Sequence, residues 1–190
     1  MSNSEITIVS GLPRSGTSLM MQMLDAGGLK ALTDRVRAGD DDNPRGYFEL
    51  EAVKRTKSDP SWLDQAAGRV VKMIHVLLYD LPQDRGYRVL FMRRDLCEVV
   101  RSQAVMLKRR GTDGANLTEE RLISAYEGQL AKIESWLADQ PGFDVLYISY
   151  NDLMADPARA AAQVNRFLGG PLDEEQMLRH VDPALHRQRA

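Results

Sequence analysis

The residues Gly11-Leu-Pro-Arg-Ser-Gly-Thr-Ser18 stand between a short β-branched run, Ile6-Thr-Ile-Val-Ser10, and a segment in which Leu19, Met20, Met23 and Leu24 form one apolar stripe. The run reads as a strand, and the striped segment as a helix over Thr17 to Ala26 that Gly27-Gly28 ends. A glycine loop in that position can wrap an anion. Backbone N–H groups at the helix start point at the ligand, and the helix dipole favours negative charge there. Gly16 lets the backbone approach closely, and Thr17 and Ser18 add hydroxyl donors. Pro13 fixes φ, and Arg14 brings a permanent cation with a fork of donors.

The loop departs from the nucleoside-triphosphate pattern G-x-x-x-x-G-K-[ST] at an informative place. Its glycines match at Gly11 and Gly16, but Thr17 stands where a lysine would reach the β/γ-phosphates. That argues against ATP or GTP hydrolysis. Such enzymes also carry an acidic metal ligand at the end of a second strand. Here Val89-Leu-Phe-Met92 runs into Arg93-Arg94, which repel Mg²⁺ and attract a second anion. The expected ligand is phosphorylated and held by arginine, hydroxyl and backbone groups, with no metal required.

Outward from the loop, Arg69 to Ile74, Tyr87 to Met92 and Phe143 to Tyr150 read as further strands. Near-continuous apolar strands separated by helical stretches imply a parallel sheet covered on both faces. Asp95-Leu-Cys-Glu98 has the spacing of a capping box and heads a helix to about Arg110. Leu122, Tyr126, Leu130, Ile133 and Leu137 mark another from Thr118 to near Pro141. Asp156-Pro157 opens a helix that Gly169-Gly170 closes, and a last short one starts at Asp173. Residues 30 to 59 hold seven basic and seven acidic residues, including Asp40-Asp-Asp42 and Asn43-Pro-Arg-Gly46. Balanced charge with Pro and Gly reads as loop, and the length of 30–60 suggests a lid or acceptor-binding insertion within one domain over 1–190.

Composition narrows the classes. The 190 residues are 43% hydrophobic and 27% charged, enough for a core. Net charge is −2, from 25 Lys+Arg against 27 Asp+Glu, so no dominant positive field exists for nucleic acid. Cys97 is the single cysteine, which excludes an internal disulfide and fits a reducing compartment. The most apolar stretch, Val70 to Tyr79, is broken by Lys72 and His75 and is too short to span a bilayer. The first residues show neither a basic nor an apolar leader segment, so a cytoplasmic location is expected.

Three motifs together resemble the sulfotransferases that use 3′-phosphoadenosine 5′-phosphosulfate (PAPS). Pro13-Arg-Ser-Gly-Thr-Ser18 is similar to their 5′-phosphosulfate loop. Arg94-Asp-Leu-Cys-Glu-Val-Val-Arg-Ser102 looks like their 3′-phosphate motif, an arginine at a strand end followed by a serine eight residues later. Tyr150-Asn-Asp-Leu-Met-Ala-Asp-Pro157, ahead of a helix ending Phe167-Leu-Gly169, matches a third segment. The resemblance implies an α/β, P-loop-NTPase-like three-layer fold with a mainly parallel central sheet flanked by helices. It also implies sulfuryl transfer from PAPS to a hydroxyl or amine. Arg14 would stabilise the departing phosphate; Pro13, Ser15, Gly16, Thr17 and Ser18 would form the 5′ cradle with it; Arg94 and Ser102 would bind the 3′-phosphate. No metal is expected.

Attack by a hydroxyl needs a general base, and Glu49, Asp34 and His75 are the candidates. His75 sits one residue beyond the Lys-x-His spacing of the cytosolic enzymes, while Asp34 lies beyond the first helix, where other members place a carboxylate. The family's Arg-Lys-Gly loop is missing, and Arg187, with Arg189, would substitute for it from the C-terminal tail. The acceptor is not specified: a small molecule, glycan, lipid head group or peptide would serve. A chain of this size leaves a shallow acceptor pocket or one completed by a partner subunit, as in a homo-oligomer. Two other classes fit parts of the pattern: a nucleotide or nucleoside kinase with an altered loop, and a non-catalytic PAPS-binding module.

Overall fold

The computed structural model describes residues 5–34, 36, 39, 46–109, 111–112 and 117–185. Strand β1 (Ile6–Gly11) is buried along its whole length and lies inside a four-stranded parallel sheet. Its neighbours are β2 (Val70–Lys72) on one side and β3 (Tyr87–Arg93) on the other, with β4 (Phe143–Ser149) beyond β3. Thr7 faces both Val70 and Arg88, and Val89 faces Val145. Part of the segment expected as an insertion adds to the β2 edge. Ala31 bridges to Val70, with Leu32 N–H donating to the Val70 carbonyl at 2.9 Å.

Alternate strand residues feed two cores, which is why the strands read as continuous apolar runs. Ile6, Ile8, Val71, Val89 and Phe91 pack with Ile133 and Leu137 of α3 (Glu119–Ala138) and with short 3-10 segments at 51–55, 61–65 and 75–80. Val9, Val70, Leu90 and Met92 pack on the opposite face. That face is covered by α1 (Thr17–Ala26), α4 (Tyr150–Ala155), α5 (Pro157–Phe167) and α6 (Glu174–Leu178). The result is the three-layer α/β arrangement that the motifs implied, with α2 (Leu96–Arg109) following β3.

Every strand differs from the sequence reading by one or two residues at an end, and two of these limits have a visible cause. The second strand stops at Lys72 rather than Ile74, and the chain enters a 3-10 turn at His75. The fourth stops at Ser149 rather than Tyr150, because Ser149 Oγ caps α4 by accepting from the Asp152 N–H at 3.1 Å. The other caps are those the sequence indicated: Asp156 accepts from Arg159 N–H, and Asp173 from Gln176 N–H. Among the described residues, no helix is long and apolar enough to cross a membrane.

Candidate active site

The loop after β1 takes its shape from left-handed backbone and from a lack of room. A Cβ on Gly11 would lie 2.5 Å from the Met92 carbonyl oxygen, and one on Gly16 would lie 2.4 Å from Tyr150 Cδ2. Arg14 has φ 72°, a left-handed conformation that costs an ordinary L-residue about 1–2 kcal/mol. Arg94 Nη1 offsets that cost by donating to the Arg14 carbonyl at 3.1 Å. Ser15 turns inward: its N–H and its O–H both donate to the Leu12 carbonyl, at 3.2 and 2.7 Å. Its hydroxyl therefore braces the loop.

Helix α1 begins at Gly16 with no side-chain cap, whereas Thr118, Ser149, Asp156 and Asp173 cap α3, α4, α5 and α6. Among the described contacts no side chain caps the first turn of α1, and the helix dipole favours an anion there. Thr17 and Ser18, both half-buried, occupy that turn, and Pro13 is exposed on the outside of the loop. Arg14 reaches across to α2, where its Nε donates to Ser102 Oγ at 2.9 Å. Ser102 is buried.

A cation that sequence reasoning did not select also reaches the loop. Lys72, at the C-terminal end of β2, donates to Ser18 Oγ at 3.3 Å and to the Tyr47 carbonyl. Its ammonium lies 3.6 Å from Glu49 Oε1. The lysine missing at position 17 is in effect supplied from the neighbouring strand. The signal was present: a lone lysine breaking an apolar strand at the end where parallel sheets bind ligands.

Two of the three candidate bases are neighbours, the Asp34 N–H donating to the Glu49 carbonyl at 3.3 Å, whereas His75 lies against α3. Glu49 is drawn to the loop through Lys72, and its side chain keeps 33% of its exposure. The Asp34 carboxylate is taken up by backbone, accepting from the N–H groups of Val36 (3.0 Å) and Glu51 (2.6 Å). Those backbone donors hold its carboxyl below the usual carboxylate range, which makes it a poorer base. His75 is buried, with Nε2 3.0 Å from Gln129 Oε1 of α3 and Nδ1 unpartnered. The described contacts join neither Asp34 nor His75 to the phosphate loop.

Arg94 lies deeper than the motif suggests. Its Nε donates to Glu98 Oε2 at 2.8 Å, and the two side chains are 8% and 2% exposed. The guanidinium carbon sits 4.4 Å from the centre of the Tyr150 ring. The capping box is only half formed. Glu98 N–H donates to Asp95 Oδ1 at 3.0 Å, but the Glu98 carboxylate turns to Arg94 and to Asn151 Nδ2 (3.0 Å). Arg14, Arg94 and Ser102 form one connected network, through the Arg14 side chain on one side and its carbonyl on the other. Arg187, Arg189 and the acidic triplet Asp40 to Asp42 lie outside the described residues.

Solved structures share this fold. The chain is similar in structure to the sulfotransferase domain from the curacin biosynthetic pathway, with TM-score 0.54 and 16% identity over 94% of this chain and 78% of that one. It is also similar to retinol dehydratase solved in complex with androsterone and the inactive cofactor PAP, with TM-score 0.55 and 17% identity. That match covers 95% of this chain but only 64% of the other. At such identities the likeness establishes the fold. No curated protein matches this sequence closely enough to count as a relative. A family model described as the sulfotransferase domain matches residues 4–185, nearly the whole chain including the glycine loop, Lys72 and the Arg94–Ser102 segment, and the chain therefore belongs to the sulfotransferase domain family.

Proposed function

We propose that this chain transfers a sulfuryl group from PAPS to a hydroxyl or amine acceptor. The observation that carries the reading is the contact of Lys72 with Ser18 at the start of α1, in the loop that also carries Arg14, with Glu49 beside Lys72. The residues fit a 5′-phosphosulfate: glycines with no room for a Cβ, a first helical turn with no side-chain cap, and two cations of different origin. Ser102 is assigned to the 3′-phosphate that distinguishes PAPS from ATP, and Arg94, bonded to the Arg14 carbonyl, is assigned to holding the loop.

In the reaction the acceptor oxygen or nitrogen forms a bond to sulfur. The bond from sulfur to the bridging phosphate oxygen breaks, and 3′,5′-bisphosphoadenosine leaves. Glu49 takes the acceptor's proton, the role its position next to Lys72 suits better than that of Asp34 or His75. Arg14 and Lys72 face the charge that builds on the departing phosphate. Fixed cations aimed at developing charge are commonly the largest catalytic contribution. The 46–49 segment, fastened by Lys72 at the Tyr47 carbonyl, is assigned to acceptor binding.

Ligand-dependent melting tests the reading. Bisphosphoadenosine without metal should raise Tm, since a ligand that binds only the native state stabilises it by mass action. Stabilisation by MgATP and not by bisphosphoadenosine would instead mark a kinase. Transfer of labelled sulfate from PAPS across an acceptor panel then separates an enzyme from a binding module.

A further inference from the structure

We infer that Glu98 is a positioning residue for the phosphate loop: its buried carboxylate aims the Arg94 guanidinium at the Arg14 carbonyl and so keeps Arg14 in its left-handed conformation. The inference rests on the proposed PAPS reading of the loop.

The Arg94–Glu98 pair is almost fully enclosed, at 8% and 2% exposure. Enclosing two charges carries a desolvation cost that often cancels their attraction, and a well-packed apolar pair is commonly as stable. An apolar pair could not supply the donor that Arg94 Nη1 gives to the Arg14 carbonyl at 3.1 Å. The residue it steadies has φ 72°, a strained conformation that persists only when its surroundings enforce it.

Glu98 is itself held. Its second carboxylate oxygen accepts from Asn151 Nδ2 at 3.0 Å, and Asn151 Oδ1 accepts the Asp95 N–H at 3.3 Å. In an ordinary capping box Glu98 would take that Asp95 N–H. Asn151 takes it instead, and the Glu98 carboxylate goes to Arg94. A local helix-capping contact has been exchanged for one that reaches the loop. The other face of Arg94 lies against Tyr150, whose ring fills the space beside Gly16. Through Arg94, Glu98 therefore bears on the loop at both position 14 and position 16.

The test is calorimetric titration of the full chain with two probes, 3′,5′-bisphosphoadenosine and adenosine 5′-phosphosulfate, the second lacking the 3′-phosphate. Glu98→Gln keeps the size and removes the charge. It should weaken both probes by a similar factor, about tenfold for a lost charge-assisted bond, and lower kcat, measured well below its Tm. Should Glu98→Gln fail to fold, Asn151→Ala frees the carboxylate without stranding a charge and should show the same equal loss. A loss confined to bisphosphoadenosine would place Glu98 at the 3′ end and overturn the inference, as would unchanged affinity for both probes. If the unmodified chain binds neither probe, the proposed function itself falls and the inference falls with it.

Discussion

Arg14 Nε and Ser102 Oγ are joined by a 2.9 Å hydrogen bond that links the loop after β1 to the middle of α2. The cation assigned to the sulfuryl end thus rests on the hydroxyl assigned to the 3′-phosphate. Ser102→Ala should cost about 0.5–1.5 kcal/mol of bisphosphoadenosine binding, the net worth of a typical hydrogen bond. It should also lower kcat, because Arg14 loses its rest. Steady-state kinetics showing a KM change alone would mean that this bond does not orient Arg14.

Arg14→Ala should act mainly on turnover. Removing one donor aimed at transition-state charge costs about 10²–10³ in kcat elsewhere. Nucleotide affinity should fall less, since Lys72, Ser18 and the helix start remain. Equal losses in turnover and in calorimetric affinity would recast Arg14 as a binding residue only.

Glu49→Gln should reduce kcat by about 10²–10⁴, the usual contribution of a positioned base, with bisphosphoadenosine binding nearly unchanged. Lys72→Met should reduce both, because it releases Ser18 and the 46–49 segment together. A Glu49→Gln variant with full activity across the pH range would hand the base role to another group.

Gly16→Ala should be the most damaging single methyl in the loop. The new Cβ would meet Tyr150 Cδ2 at 2.4 Å from a backbone at φ 95°. Overpacking of this kind typically costs about 1–3 kcal/mol. Thermal melting should show the loss, and Tyr150→Leu should restore part of it by clearing the ring. A variant that melts with the parent would show that the loop moves freely.

Asp34 gives a pH signature. Its carboxyl is held low by the Glu51 and Val36 N–H groups, so it binds its proton more weakly folded than unfolded. The stabilisation is therefore complete above the unfolded value of about 3.9 and is lost as pH falls below it. Asp34→Asn should lower Tm at neutral pH, and the gap to the parent should close in that acid range. A constant gap would show that the contact is indifferent to charge.

Much of this was legible in the sequence because the decisive signals are local. Gly11 and Gly16, the β-branched run before them and the striped helix after them define β1, the loop and α1 from a few consecutive residues. Asp156-Pro157 and Asp173 announced their helices in the same way. Lys72 stands out as a lysine breaking an apolar strand, but its partners Ser18 and Tyr47 are distant in sequence, so what it meets was not legible. Arg94 was read from its motif, but its pairing with Glu98 was not legible, because Glu98 looked like a cap and Asn151, which takes the Asp95 N–H in its place, comes from beyond β4. The 3-10 segments at 51–55, 61–65 and 75–80 are too short to show a period.

The central place of β1 has a consequence for how the chain matures. Thr7 finds its neighbours only at Val70 and Arg88, and the Arg94 segment meets Asn151 later still. Pairings this distant form slowly and late. The contacts that hold the phosphate loop come from Lys72, Arg94 and Ser102, so they require the chain through α2. Ligand recognition is a property of the finished sheet, and whatever binds the loop protects the strands on either side of it as a unit.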